Sequence, residues 1–181
     1  MDLMASQAKA YGAVVEYDDV IKVEVTREGS QRFLVTCEGP THTAKALIYA
    51  AGTSPRKLGV PGEERYIGRG VSFCATCDGA LYRDKVVAVV GGGDSALAEA
   101  DFLTRFAREV VLIHRRDEFR AGLASVKRIE ANSKVTMLLS SAVKEVLGDE
   151  FVRAIALEDL KTGAVRDIPV DGLFLYAGSD R

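Results

Sequence analysis

The chain has 181 residues, 48% of them hydrophobic and 28% charged, a balance that lets a domain of this size bury roughly 70% of its unfolded surface and excludes intrinsic disorder. Its 24 Lys and Arg stand against 26 Asp and Glu with no like-charge block, which argues against nucleic acid or a polybasic membrane anchor and for small-molecule or protein partners. No apolar stretch approaches the ~18 residues of a membrane span, and Met1-Asp2-Leu3 lacks the cationic and apolar regions of a signal peptide, so a soluble cytoplasmic protein is expected.

In chain order, residues 1–11 read as the end of a helix that stops at Gly12. Three strands follow. Ile21, Val23 and Val25 alternate with Lys22, Glu24 and Thr26; then come Phe33, Val35 and Cys37; then Ala44, Ala46 and Ile48, with turns at Glu28-Gly29-Ser30 and Glu38-Gly39-Pro40. This pattern predicts an antiparallel meander. Its closing strand, Ala46-Leu47-Ile48-Tyr49-Ala50, is apolar throughout and is expected to be buried on both faces before Ala51-Gly52. Residues 53–70, rich in Gly and Pro, read as linker and domain boundary.

The pattern then changes. Val86–Val90, Gly91-Gly92-Gly93, a helix striped by Ala96, Ala100, Leu103 and Ala107, and the strand Val110–Ile113 make one βαβ unit. A helix over 118–131, a strand at 135–139 and a second meander through Val143–Val146, Val152–Leu157 and Val165–Val170 lead to a closing strand ending in Ala177-Gly178. The two closing strands share an apolar, aromatic-containing run, then Ala-Gly, then a polar run ending in Arg, so the chain reads as one complete architectural unit preceded by the back half of another. On that reading the chain is a fragment or a truncated form.

Gly91-Gly92-Gly93-Asp94-Ser95-Ala96 fits G-x-G-x-x-A directly after an apolar strand and before a helix, the context of a dinucleotide-binding fingerprint. Gly91 would allow the tight turn, Gly93 the approach of the pyrophosphate, and Ala96 close helix-to-strand packing, with the phosphates at the helix N-terminus. The bland alternative is a turn that only joins strand to helix. Where an NAD-specific fold places an acid against the ribose, this chain has His114-Arg115-Arg116 and then Arg120, which favours a 2′-phosphate and hence NADPH. A solvated basic helix start is the competing reading.

Cys74-Ala75-Thr76-Cys77 is followed by Asp78. Zinc would need two further ligands, and only Cys37, His42 and His114 are on offer, so no metal site is expected. A structural pair and a redox pair both remain, the nucleotide motif downstream favouring redox chemistry, with Asp78 able to move the proton that thiol–disulfide exchange needs. Cys37, on the apolar face of its strand, reads as inert core.

Phe73-Cys74-Ala75-Thr76-Cys77-Asp78-Gly79, Val89–Ala96 and Leu112–Ala121 closely resemble the low-molecular-weight thioredoxin reductases of bacteria, and the similarity runs over essentially the whole chain. The resemblance implies an α/β fold with a Rossmann-like three-layer NADPH-binding domain over 57–178, a partial FAD-binding domain of the same architecture over 1–56, and a truncated return to it at 179–181. It implies electron flow from NADPH through FAD to the Cys74–Cys77 disulfide and on to thioredoxin, in a protein that is a homodimer when complete. Cys77 then resembles the flavin-facing sulfur, Cys74 the one that forms the mixed disulfide, and Asp78 the proton donor. His114, Arg115, Arg116 and Arg120 resemble the NADPH phosphate site, and Ala50-Ala51-Gly52 the family's Ala-Thr-Gly near FAD, with Ala in place of Thr. The family's N-terminal FAD fingerprint and C-terminal Gly-Asp segment have no counterpart, so this chain alone is expected neither to hold FAD tightly nor to reduce disulfides with NADPH. Related readings are a non-catalytic NADPH-binding module and the flavoprotein of the alkyl hydroperoxide reductase system, which prefers NADH. Ferredoxin-linked reductases of this architecture lack the nucleotide site that this chain retains.

Overall fold

In a computed structural model, which describes residues 2–26 and 32–180, the chain divides between Ala51 and Gly52 into two units. In the first, α1 (Asp2–Ala10) ends where expected: Gly12 takes φ 86°, and the amides of Gly12 and Ala13 turn back to the carbonyls of Lys9 (2.9 Å) and Ala8 (3.1 Å). Glycine adopts that left-handed conformation without Cβ strain. β1 (Val20–Val25), β2 (Phe33–Cys37) and β3 (Thr41–Ala44) form the antiparallel meander, Val25 facing Phe33 and Phe33 facing Ala44. The expected turn at Glu28-Gly29-Ser30 lies outside the described residues.

One expectation for this unit fails. The third strand stops at Ala44, and 46–50 is neither strand nor buried, Ile48 being 90% exposed. An apolar run becomes a strand buried on both faces only if neighbours satisfy its backbone and layers cover its sides. No described residue of this unit pairs with it. The alternation in β1 likewise makes a strand but leaves Ile21 and Val25 exposed. Cys37 is buried at the end of β2, where burial and the Asp18 and Glu16 carboxylates push its thiol up, as suits an inert core cysteine.

The second unit runs β4 (Ser54–Pro55), β5 (Val71–Ser72), α2 (Ala75–Asp78), β6 (Val86–Val90), α3 (Asp94–Leu103), β7 (Glu109–Ile113), α4 (Leu123–Glu130), β8 (Val135–Leu138), β9 (Ser141–Gly148), β10 (Val152–Asp159), β11 (Val165–Pro169), β12 (Gly172–Leu175) and β13 (Ser179–Asp180). A five-stranded parallel sheet of order β5-β12-β6-β7-β8 is the middle layer. Its strands read as unbroken apolar runs because both faces are covered. Val87, Val89, Val110, Leu112 and Phe174 pack against Ala96, Leu97, Ala100 and Leu103 of α3 and Ile129 of α4. The alternate residues Ala88, Val111, Ile113, Leu173 and Leu175 pack against Val143, Val146, Ile155 and Leu157 of the antiparallel sheet β11-β10-β9. The architecture is therefore three-layered and Rossmann-like. Only the polar ends of the two segments read as repeated closures pair, within this unit: β4 lies against β13, Ser54 opposite Asp180, and the Arg56 amide donates to the Gly178 carbonyl at 2.9 Å. Among the described residues, no helix is long and apolar enough to cross a membrane.

The Gly- and Pro-rich stretch expected to be a linker contains a built loop. Glu63 is 1% exposed, and its carboxylate accepts from the amides of Leu58 (2.9 Å), Gly59 (2.7 Å) and Val60 (3.4 Å). The Val146 amide donates to the Pro61 carbonyl at 2.9 Å, and a side chain at Gly62 (φ 81°) would collide with the Val146 carbonyl. The loop is thus sewn onto β9. Replacing Glu63 by Ala strands three amides and should lower the unfolding free energy by about 2–3 kcal/mol, with Glu63→Gln intermediate. Urea denaturation reads this, and a wild-type midpoint for Glu63→Ala would show that the loop stands without its carboxylate.

Candidate nucleotide and disulfide site

β6 ends at Val90 between β7 and β12, and the chain must turn there at once to enter α3. The Gly91 amide donates to the Ile113 carbonyl at 3.0 Å. A side chain at Gly91 would press on Ala96 and the Tyr176 backbone, and one at Gly92 would fill the space of the His114 ring. Gly93 has nothing within 4 Å of where its Cβ would stand. Of the three, it alone leaves open room for a ligand over the start of α3, where free amides and the helix dipole favour an anion. Ala96 is 1% exposed in the helix-to-sheet contact. The spacing of the motif marks Gly91, Gly93 and Ala96; the need for glycine at 92 comes from His114, 22 positions away in sequence.

The helix expected over 118–131 begins only at Leu123. Residues 114–122 are instead a loop whose backbone groups are engaged elsewhere. The Arg120 amide donates to the Gly92 carbonyl at 2.7 Å, the Gly122 amide to Asp94 Oδ1 at 2.9 Å, and the Ser125 hydroxyl to the same oxygen at 3.3 Å. The His114 ring, 6% exposed, stacks on Phe119 with centroids 5.6 Å apart. Burial pushes its pKa down and the charges of Arg116, Arg120 and Arg115 add to this, against a hydrogen bond with the Glu118 backbone. Its Nε2 is buried with no hydrogen-bond partner among the described residues, a polar atom of the kind that folded proteins rarely leave unused.

Two cavities open along this edge. One, of about 340 Å³, is lined by Gly91, Gly92, His114, Arg115, Arg120 and Tyr176 among others. A second, of about 490 Å³, is lined by Phe73, Gly93, Asp94, Ser95, Arg120 and Tyr176 among others. Arg120 and Tyr176 border both. Arg116 is exposed on the loop, its carbonyl accepting from the Ser140 amide at 2.9 Å, and lines neither cavity. Gly52 takes φ 78° and also lines neither, and Ala51 is an exposed residue closing the first unit.

Cys74 and Cys77 form a disulfide, Cα atoms 5.3 Å apart, while Cys37 is free. Cys74 caps α2, its Sγ accepting from the Cys77 amide at 3.2 Å. Two residues that no local pattern marks hold this short helix. The buried Ser72 hydroxyl donates to Asp78 Oδ2 at 2.7 Å and accepts from the Cys74 amide at 3.1 Å. The Tyr176 hydroxyl accepts from the Ala75 amide at 2.8 Å. Burial, with the Glu99 and Asp78 carboxylates, pushes the Tyr176 phenol up to about 12, against the Ala75 hydrogen bond, so it stays protonated. Because Tyr176 also borders both cavities, one side chain touches the disulfide helix and the glycine turn. His42 faces the Glu16 carboxylate at 3.1 Å in the first unit.

A family model for pyridine nucleotide-disulphide oxidoreductases matches residues 6–180. Thioredoxin reductases from Streptomyces coelicolor and Mycolicibacterium smegmatis are 44% and 47% identical to the chain over 180 residues, covering 99% of it and 55% and 57% of the relatives. The chain therefore spans a little over half the length of these curated relatives. Among solved structures, thioredoxin reductase from Lactococcus lactis superposes with TM-score 0.79 at 37% identity, covering 98% of this chain and 58% of that one. Thioredoxin reductase from Giardia duodenalis gives 0.81 at 37%, covering 99% and 58%. With the family match running over nearly its full length, the chain belongs to the pyridine nucleotide-disulphide oxidoreductase family.

Proposed function

We propose that the chain carries the NADPH-binding domain of a thioredoxin-disulfide reductase over residues 57–178, with part of an FAD-binding domain in 1–56 and a short return segment at 179–181. The observation that carries the reading is the placement of a closed Cys74–Cys77 disulfide and an arginine-flanked glycine turn on one unit, joined through Tyr176. The likeness to proteins named thioredoxin reductase supports thioredoxin as the partner of the whole protein. In that protein, electrons pass from NADPH, with FAD as intermediary, to Cys74–Cys77 and on to thioredoxin.

The residues present suit NADPH. Gly93 and Ser95 at the start of α3 would take the pyrophosphate, with Gly91 and Ala96 keeping the turn tight and Asp94 at its corner. Arg115, Arg116 and Arg120 would take the 2′-phosphate, and the unpartnered His114 Nε2 offers a further polar contact. FAD is a different case. The described residues of the first unit hold one helix and a meander, with no glycine turn between a strand and a helix, and do not by themselves cradle a flavin pyrophosphate.

This chain's own part of the chemistry is thiol–disulfide exchange. In the reduced pair the Cys74 thiolate attacks one sulfur of the thioredoxin disulfide, forming a mixed disulfide and releasing the other sulfur as a thiolate. Cys77, deprotonated, then attacks Cys74 Sγ, re-forming Cys74–Cys77 and expelling the second thioredoxin thiolate; the two protons of the starting dithiol end on thioredoxin. Asp78, held by Ser72 one residue from Cys77, is the group placed to carry them.

Titration of both nucleotides tests the first half. NADPH should bind at least about tenfold more tightly than NADH, and Arg115→Ala/Arg116→Ala should reduce that preference by about tenfold or more, since a charge-assisted contact is worth roughly 1.5 kcal/mol or more. Equal wild-type affinities would refute the assignment. Mass mapping tests the second. Mild oxidation of the reduced chain should give Cys74–Cys77 with Cys37 still a thiol, whereas a Cys37 disulfide as the main product counts against the redox assignment.

A further inference from the structure

Asp94 is an odd residue for a phosphate-binding turn, because it sets a carboxylate beside the helix N-terminus where an anionic ligand would lie. Its surroundings supply a different role. Both of its hydrogen bonds fall on one oxygen: Oδ1 accepts the Gly122 amide at 2.9 Å and the Ser125 hydroxyl at 3.3 Å. Two residues earlier the Arg120 amide reaches the Gly92 carbonyl at 2.7 Å. At the other end of the same loop the His114 ring occupies the space over Gly92 that a side chain would take. The segment bearing Arg115, Arg116 and Arg120 is thus fastened to the glycine turn at both ends, with Asp94 as the last fastening before α4.

We infer that Asp94 is a positioning residue for nucleotide selectivity: through Gly122 and Ser125 it holds the arginine loop in fixed register with the glycine turn, so that the sites for the pyrophosphate and the ribose 2′-phosphate are presented at a set separation. This rests on the NADPH reading above. Without the fastening, the loop must be ordered when the ligand arrives, and that cost falls on the nucleotide that uses the arginines. A nucleotide with a bare ribose 2′-hydroxyl uses the turn but not the loop, and is spared.

The test is titration of NADPH and NADH into the full chain as wild type, Asp94→Ala and Asp94→Asn. Asp94→Ala should weaken NADPH about fivefold to tenfold while NADH changes by less than about twofold. Asparagine keeps the Oδ1 acceptor without the charge, so Asp94→Asn should retain the wild-type NADPH-to-NADH ratio. NADH binding also serves as the folding control, since a variant that fails to fold loses both ligands. A ratio unchanged in Asp94→Ala, through affinities that both hold or both fall, overturns the assignment, as does loss of the ratio in Asp94→Asn. Wild-type affinities that are equal overturn the NADPH reading and this inference with it, whereas a wild-type preference that survives Asp94→Ala overturns this inference alone.

Discussion

The arrangement of the second unit depends on how closely three segments approach at the end of β6. The His114 ring, Ala96 of α3 and the backbone of Tyr176 converge on Gly91 and Gly92 so tightly that a Cβ at either position would overlap a neighbour. That closeness is possible because β6 lies between β7 and β12 in a parallel sheet, so the chain leaving each of the three strands emerges at the same edge. A sheet of this kind gathers its ligand-facing loops where its strands end, and the glycines let them meet without side chains in the way. His114, the arginine loop and Tyr176 all take their positions from that contact.

The same edge joins the two chemistries of the family. Tyr176, the first residue after β12, gives its amide to the Val90 carbonyl at 2.8 Å and receives the Ala75 amide on its hydroxyl. Its backbone is therefore part of the glycine turn and its side chain part of the disulfide helix. Ser72, the last residue of β5 on the far side of β12, holds the Cys74 amide and the Asp78 carboxylate. The disulfide sits on a four-residue helix held from two strands of the sheet, which limits how far its sulfurs and the Asp78 carboxylate drift apart.

Much of this was legible in sequence where the signal was local. Val86–Val90 and Val110–Ile113 are apolar without interruption because both faces are covered, and the glycine cluster between β6 and α3 is specific in that context. Cys74-x-x-Cys77 was marked by its spacing, and the nucleotide motif downstream favoured a redox pair over a structural one. The misreadings share a physical cause. Ala46–Ala50 has the composition of a buried strand, yet composition carries no information on whether pairing partners exist. Residues 118–122 look helical, but the Arg120 amide bonds to the Gly92 carbonyl and the Gly122 amide to Asp94. Glu63, Ser72 and Tyr176 escaped notice because each acts on backbone amides, which have no sequence signature, and in the case of Tyr176 and Ala75 from 101 residues away.

The central claim is that a phosphorylated dinucleotide lies along the edge formed by the glycine turn, the arginine loop and Tyr176. Backbone amide chemical shifts recorded while NADP⁺ is added test this most directly. The account predicts shifts that concentrate at 91–96, 114–122 and Tyr176, with a smaller response at Ala75 through the tyrosine hydroxyl. Perturbations confined to other residues, or none at saturating nucleotide, would contradict it.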